Sequence, residues 1–452
     1  MTTPNIRFAT PKVLSSKGLA YALVLFALVL NSATATAQGR GLSAEEQRLT
    51  EAVDKDNARA LALLEQVVNI NSGTQNFKGV QEVGKIFLQE FDALGFKTRW
   101  VDGAPFKRAG HLVAEHPGQG PKILLIGHLD TVFESDSPFQ KVERLNDKEL
   151  RGPGIIDMKG GDVIIVQALK ALASIGALKS MNVTVVMTGD EEDAGEPLEK
   201  AREALVDAAK GAVYAIGFED GPMDPKLAVI SRRGTTTWTL RVKGKPAHSS
   251  QIFRKDIGYG AIFEAARILN LFREKLAGQP YLTFNPGAML GGTSVDYDGV
   301  QTRGTAFGKT NVIAEHAVVQ GDMRTLSPEQ LANAKKTMEE VVKASLAHTE
   351  ASITFEDGYP PMAPTDGNRK LLAMYDQASR DVGAGTVTAV DPMRAGAADV
   401  AFIAGIVPNI MDGAGLMGRD DHTVNETADL ATLPSQTKRA AVLLYRLHSQ
   451  GR

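Results

Sequence analysis

Five short stretches of this sequence carry side chains able to hold a metal ion. They are Gly127-His128-Leu129-Asp130-Thr131, Gly152-Pro153-Gly154-Ile155-Ile156-Asp157-Met158-Lys159-Gly160-Gly161, Gly189-Asp190-Glu191-Glu192-Asp193, Phe218-Glu219-Asp220-Gly221 and Asp420-Asp421-His422-Thr423-Val424-Asn425-Glu426. A histidine with a carboxylate two residues on can ligate through one ring nitrogen, while the carboxylate accepts the other ring N–H and fixes the tautomer. Four consecutive acids, 190–193, repel one another unless a cation neutralises them. The glycines around Asp157 permit close backbone approach, and a helix starting after it can orient its carboxylate. With no cysteine in the chain, any metal must be held by His, Asp and Glu. Taken singly, each stretch has a plainer reading: a hydrogen-bonded histidine, an N-cap aspartate, an exposed acidic loop, an Asp-Gly turn. Of the eight histidines only His128 and His422 stand beside carboxylates in such loops. His448, in a terminal helix, reads as a surface residue.

The elements that must position these loops alternate between strands and helices. Residues 43–70 and 80–94 read as amphipathic helices, the second stopped by Gly95. The runs 122–126, 183–187 and 212–218 are short and apolar without alternation, as expected of strands buried on both faces. Helices are expected over 160–178 and 198–210. This β-α-β rhythm predicts a largely parallel sheet, and in such sheets ligands bind beyond the carboxyl ends of the strands, where the motifs fall. From about residue 227 the texture changes. Residues 235–242 alternate polar and apolar, as in a strand with one wet face, and a helix over 257–276 follows. Further strands are expected in 281–307, 311–323 and 352–355, with a helix starting after Ser327-Pro328 as N-cap and N1. This stretch reads as a small α+β domain inserted into a larger one. The expected segments are 1–37, 38–228, 229–358 and 359–452.

Composition narrows the function classes. At 452 residues, 43% hydrophobic and 23% charged, the chain is ordinary globular protein; disorder, collagen-like repeats and a multi-span membrane protein are excluded. Fifty Lys+Arg against 53 Asp+Glu leave −3, without the basic balance of a nucleic-acid binder. Arg7, Lys12 and Lys17 precede the apolar run 19–30, followed by Ala35-Thr36-Ala37. Such a pattern reads as a cleaved secretory signal: 12 apolar residues make about 18 Å of helix, too short for a bilayer core of roughly 30 Å. The mature protein is expected to be exported, periplasmic or secreted.

In order and context the motifs resemble those of the M20 family of dinuclear zinc peptidases and deacylases, in particular its glutamate carboxypeptidase-like branch. The resemblance covers nearly all the mature chain and includes Ala247-His248-Ser249 and Asp322-Met323-Arg324 in the inserted domain. It implies a mostly parallel α/β catalytic domain with an inserted α+β lid and dimerisation domain, and a homodimer formed through the latter. It also implies two zinc ions per chain, with cobalt or manganese fitting the same N/O ligands. Asp157 would bridge the ions, His128 and Glu219 holding one, Glu192 and His422 the other. Asp130 would accept from His128, and Glu191 would be the general base. The resemblance further gives His248 the tetrahedral oxyanion, and Asn311 and Arg324 the substrate's free carboxylate, with Gly415 in the loop 413–418 as a further substrate contact. Arg suits that carboxylate through its bidentate fork. The expected substrate is a small peptide or N-acyl amino acid, cut at an amide beside a free carboxylate. One departure is Phe355-Glu356-Asp357-Gly358, acidic where glutamate-specific members carry a basic residue, so the side chain preferred, glutamate or another, is left open. An N-acyl-amino-acid deacylase and a non-catalytic binding protein on the same fold are the alternative readings.

Overall fold

A computed structural model of the chain describes residues 41–450, and the expected signal segment lies outside the described residues. The first helix, α1 (Ala44–Val68), opens with a capping box in which Ser43 and Glu46 satisfy each other's main-chain N–H. The second, α2 (Phe77–Ala93), buries Val80, Val83, Phe87 and Phe91 on one stripe. A six-stranded sheet follows, built from β1 (Lys97–Asp102), β2 (Gly110–His116), β3 (Gln119–His128), β4 (Met181–Thr188), β5 (Ala212–Gly217) and a late strand, 409–411, in the order β1-β2-β4-β3-β5-late strand. The last four of that order run parallel, while β2 is antiparallel to β1 and β4. The sheet is therefore mixed, and β1 and β2 are strands that the apolar runs did not reveal.

The unalternating runs have a direct cause. In β3, Ile123 and Leu125 enter one core while Leu124 and Ile126 enter the other, so both faces are covered. The first core is closed by α1, by α3 (Gly160–Ser174) and by the final helix, 432–449. Glu46 ties the ends of this layer together: its Oε1 accepts from Arg446 Nε at 2.6 Å and its Oε2 from the Ser43 N–H at 2.8 Å. Burial raises the Glu46 carboxyl, but Arg446 and Ser43 outweigh burial and hold it below its ordinary range. A depressed carboxyl contributes stability above the unfolded value and loses it as pH falls through the folded one. Glu46→Gln is thus expected to lower stability near neutrality and to make the decline toward acid shallower. Urea midpoints between about pH 7 and about pH 3 test this; curves that stay parallel would contradict it.

Two other expectations are corrected. The helix expected over 198–210 is two short ones, Leu198–Ala201 and Glu203–Ala209, broken at Arg202. Arg202 turns inward, 1% exposed, to reach Asp190 (2.6 Å) and Asp399 (2.8 Å). His448 is buried and hydrogen-bonded with the Ser180 hydroxyl at 2.9 Å, so the terminal helix packs this face inward. No helix among the described residues is long and apolar enough to cross a membrane.

A second, antiparallel sheet comprises β6 (Gly234–Gly244), β7 (Thr283–Gly292), β8 (His316–Thr325) and β9 (Thr349–Asp357), in the order β7-β8-β6-β9. The stretch expected as strand through 281–307 breaks after β7, and Ser294–Asp298 pairs with Arg303–Phe307 as a separate hairpin. Helices α4 (Gly260–Leu276) and α5 (Pro328–Lys343) pack on one face, the latter capped by Ser327 with Pro328 in its first turn. The alternation along β6 follows: Trp238, Leu240 and Val242 meet Ala265, Ile268, Phe272 and Met338, while Arg241 and Lys243 face away.

Candidate metal centre

Parallel register brings the motifs to one edge. His128, the last residue of β3, is paired with Thr188, the last of β4, and Ile126 with Gly217 at the end of β5. The loops carrying Glu191, Glu192 and Glu219 therefore leave the sheet side by side. Asp157 arrives from the turn before α3, and His422 from the loop between strands 418–419 and 427–429. Glu426 fixes that turn: buried, it accepts the main-chain N–H groups of Gly154 (2.9 Å), Ile156 (2.8 Å) and Asp157 (3.1 Å). Sequence reading quoted Glu426 without giving it a task.

The result is two groups that share one aspartate. His128 Nε2 lies 3.0 Å from Asp157 Oδ1 and 3.3 Å from Glu219 Oε1. His422 Nε2 lies 2.8 Å from Asp157 Oδ2 and 3.3 Å from Glu192 Oε2. Asp157 thus presents one oxygen to each imidazole. A third group adds Asp220 and Asp421 to Asp157. Sequence reading had taken Asp220 for part of a turn.

Electrostatics at the centre call for positive charge. Burial and Asp157 push Glu219 up to about 8 and Glu192 up to about 7. Hydrogen bonds to Asp157 and Glu192 push His422 up to about 11. Burial opposes charge on His128, yet Glu219, Asp130 and Asp157 carry it well above its ordinary value. Asp157 is partly buried, and its two imidazole neighbours hold it below the carboxylate range. Glu192 Oε1 is buried without a hydrogen-bond partner. Two imidazoles and three carboxylates with an oxygen left over are a donor set that divalent cations fit.

Asp130 meets His128 Nδ1 with both its main-chain carbonyl (3.1 Å) and its carboxylate (3.5 Å). That carboxylate also accepts the N–H groups of Glu191 (3.0 Å) and Glu192 (3.1 Å) and the Thr74 hydroxyl (2.7 Å). It anchors the acidic loop. Glu191 is raised well above the usual range by burial and then by the charge of Glu219.

The remaining site expectations fall elsewhere. Gly415, expected at the substrate, is buried; its N–H donates to Glu219 O (2.9 Å), and a Cβ there would sit 2.1 Å from Phe218 O. Close backbone approach, which holds the Glu219 loop, is the reason for glycine here. His248 and Asn311 are neighbours in the loops after β6 and before β8, where His248 bridges to Val312, the Ser249 N–H donates to Asn311 O (2.9 Å) and His248 Nδ1 is bonded to the Ser250 hydroxyl (2.8 Å). Arg324 pairs with Asp322 on the same strand (3.0 Å). No hydrogen bond or ion pair joins these three to the cluster among the described residues. Arg232, between the two sheets, is buried on Asp412 at 2.7 Å.

An α/β sheet with two His–carboxylate groups at its carboxyl edge, beside an antiparallel sheet, defines a metal-dependent peptidase or amidohydrolase. The chain belongs to peptidase family M20/M25/M40, whose pattern matches residues 124–446. It is 25% identical to carboxypeptidase G2 of Pseudomonas sp. (strain RS-16) over 423 residues, 92% of this chain and 96% of that one. It is 26% identical to succinyl-diaminopimelate desuccinylase of Delftia acidovorans, over 86% of this chain and 99% of that one. Among solved structures, a dinuclear metal-binding M20 peptidase from Bacillus subtilis matches with a TM-score of 0.60 and 17% identity, over 88% of this chain and 99% of that one.

Proposed function

We propose that this enzyme binds two divalent ions, zinc or in its place cobalt or manganese, and hydrolyses an amide bond next to a free carboxylate. The observation that carries the reading is Asp157, with one oxygen toward His128 and Glu219 and the other toward His422 and Glu192. When bound there, such an ion pair supplies the positive charge that activates water and polarises a carbonyl. Glu191 takes the proton of the attacking water and delivers it to the leaving amine, a task suited to a carboxyl that burial and Glu219 raise well above its ordinary range. Asp130 keeps Glu191 and Glu192 in register by holding both main-chain N–H groups. In the second sheet's unit, Arg324 exchanges Asp322 for the substrate's carboxylate, Asn311 is assigned to the same carboxylate and His248 to the oxyanion.

The substrate is a small peptide, so the enzyme is a carboxypeptidase, with glutamate as one candidate for the released residue given the likeness to carboxypeptidase G2. A second reading, an N-acyl-amino-acid deacylase, is favoured by the likeness to the desuccinylase. Domain boundaries at 228/229 and 358/359 are part of this reading, supported by the nearby pairing of Arg232 with Met362 between the sheets. A homodimer through the second sheet's unit is supported by an exposed aromatic cluster there. Phe253 (58% exposed) packs on Tyr259 and Phe263 (52% exposed), with ring centroids 5.7 and 5.6 Å apart. Export to the periplasm or medium follows from the segment 1–37.

The deciding experiment measures metal content together with turnover on dipeptides, N-acyl glutamates and N-acetyl amino acids. Two ions per chain, loss of turnover after chelation and its return with zinc, cobalt or manganese are expected. Turnover that survives complete removal of metal would end this reading. The ranking of the panel separates carboxypeptidase from deacylase.

A further inference from the structure

The two sheets are joined by two chain segments, 231–235 and 358–362, that run antiparallel and pair at two points, and each point connects to an acidic loop of the candidate metal centre. At the first, Arg232 and Met362 exchange main-chain hydrogen bonds of 2.9 Å each way. The Arg232 guanidinium grips Asp412 Oδ2 (2.7 and 2.9 Å), and Asp412 Oδ1 accepts the Glu219 N–H at 3.4 Å. At the second, the Thr235 N–H donates to Tyr359 O (2.8 Å) and the Tyr359 N–H to Thr235 Oγ1 (3.0 Å). The Tyr359 hydroxyl then donates to Glu191 O at 2.7 Å and accepts from Arg202 Nη2 at 2.8 Å. Arg202 is immobilised by Asp190 and Asp399, and the Tyr359 and Phe402 rings lie 5.6 and 5.3 Å from its guanidinium.

We propose that Tyr359 is a positioning residue for Glu191: through its hydroxyl, the crossing between the sheets fixes where the Glu191 carboxylate stands. The inference rests on the reading of Glu191 as the proton carrier. The main chain of Glu191 is held on both sides, its N–H by Asp130 Oδ1 and its C=O by Tyr359. Only its side-chain torsions are left to place the carboxylate. Tyr359 is a rigid ring anchored at its own backbone and at Arg202, so the acidic loop is registered to the second sheet. Without the hydroxyl, the Glu191 carbonyl loses its donor and the Glu191 peptide is held on one side only, by Asp130. A displacement near 1 Å at a reacting group costs on the order of 100-fold in rate.

The test is a double-mutant cycle on the full-length, metal-loaded chain, using the fastest substrate of the panel. Tyr359→Phe keeps the ring and removes only the hydroxyl. It is expected to lower kcat about 10- to 100-fold, with KM within about twofold and metal content unchanged. In a Glu191→Gln background the same substitution is expected to lower the residual rate by less than about twofold, because its effect runs through the missing carboxylate. Wild-type kcat in Tyr359→Phe would overturn the proposal. So would an equal loss in both backgrounds, the mark of a general structural defect. Full activity of Glu191→Gln alone would instead overturn the proton-carrier reading, and this proposal with it.

Discussion

Glu191→Gln is expected to lower kcat by about three orders of magnitude, within the range that a positioned proton carrier contributes, while both ions stay bound. Three features set the expectation. The Glu191 main chain is fixed by Asp130 and Tyr359, its carboxyl is raised by burial and Glu219, and it belongs to neither of the two ligand groups. Glutamine keeps shape and volume but cannot accept and return a proton. The loss should therefore appear in kcat, with KM little changed and with wild-type metal content by elemental analysis. A variant that loses metal in proportion to activity would show that Glu191 is a ligand rather than a proton carrier.

Asp157→Asn is expected to abolish the second ion altogether and to weaken the first. Asn offers one carbonyl oxygen and no charge, whereas Asp157 faces His128 with one oxygen and His422 with the other. Both half-sites lose their shared anion in one substitution. A fall in kcat/KM on the order of 1000-fold, about 4 kcal/mol of transition-state stabilisation, should accompany a metal count of one or fewer. His422→Ala, by contrast, removes a ligand from one half and should leave the His128 half able to bind. Two ions retained in Asp157→Asn would mean that the shared carboxylate does not bridge.

Of the five His and carboxylate positions, His128, Glu192 and Glu219 stand at or just beyond apolar runs that read as buried strands, whereas Asp157 and His422 sit in turns that only the ordered set of motifs singled out. Strand-end loops in a parallel sheet must meet at one edge. What could not be read was which atom each side chain spends on which neighbour. Asp130 sits two residues from His128 in the sequence, yet its carboxylate also serves the main chain of residues 191 and 192, a contact set by register between β3 and β4. Periodicity likewise hid the inward turn of Arg202, because two buried aspartates override the local helical pattern there. Burial of His448 depends on Ser180, 268 positions away, and nothing near either residue announces it. Strand β1, Lys97-Thr-Arg-Trp-Val-Asp, shows no apolar run because it is a half-exposed edge strand with charges at its ends.

His422 reaches the centre from a loop late in the chain, long after His128, Asp157, Glu192 and Glu219. The first group is nevertheless not finished early, because Glu426 holds the turn that carries Asp157 and the final helix closes the core beneath it. A chain stopped or clipped anywhere before residue 422 would lack that support as well as the second imidazole, so both groups wait on the closing segment.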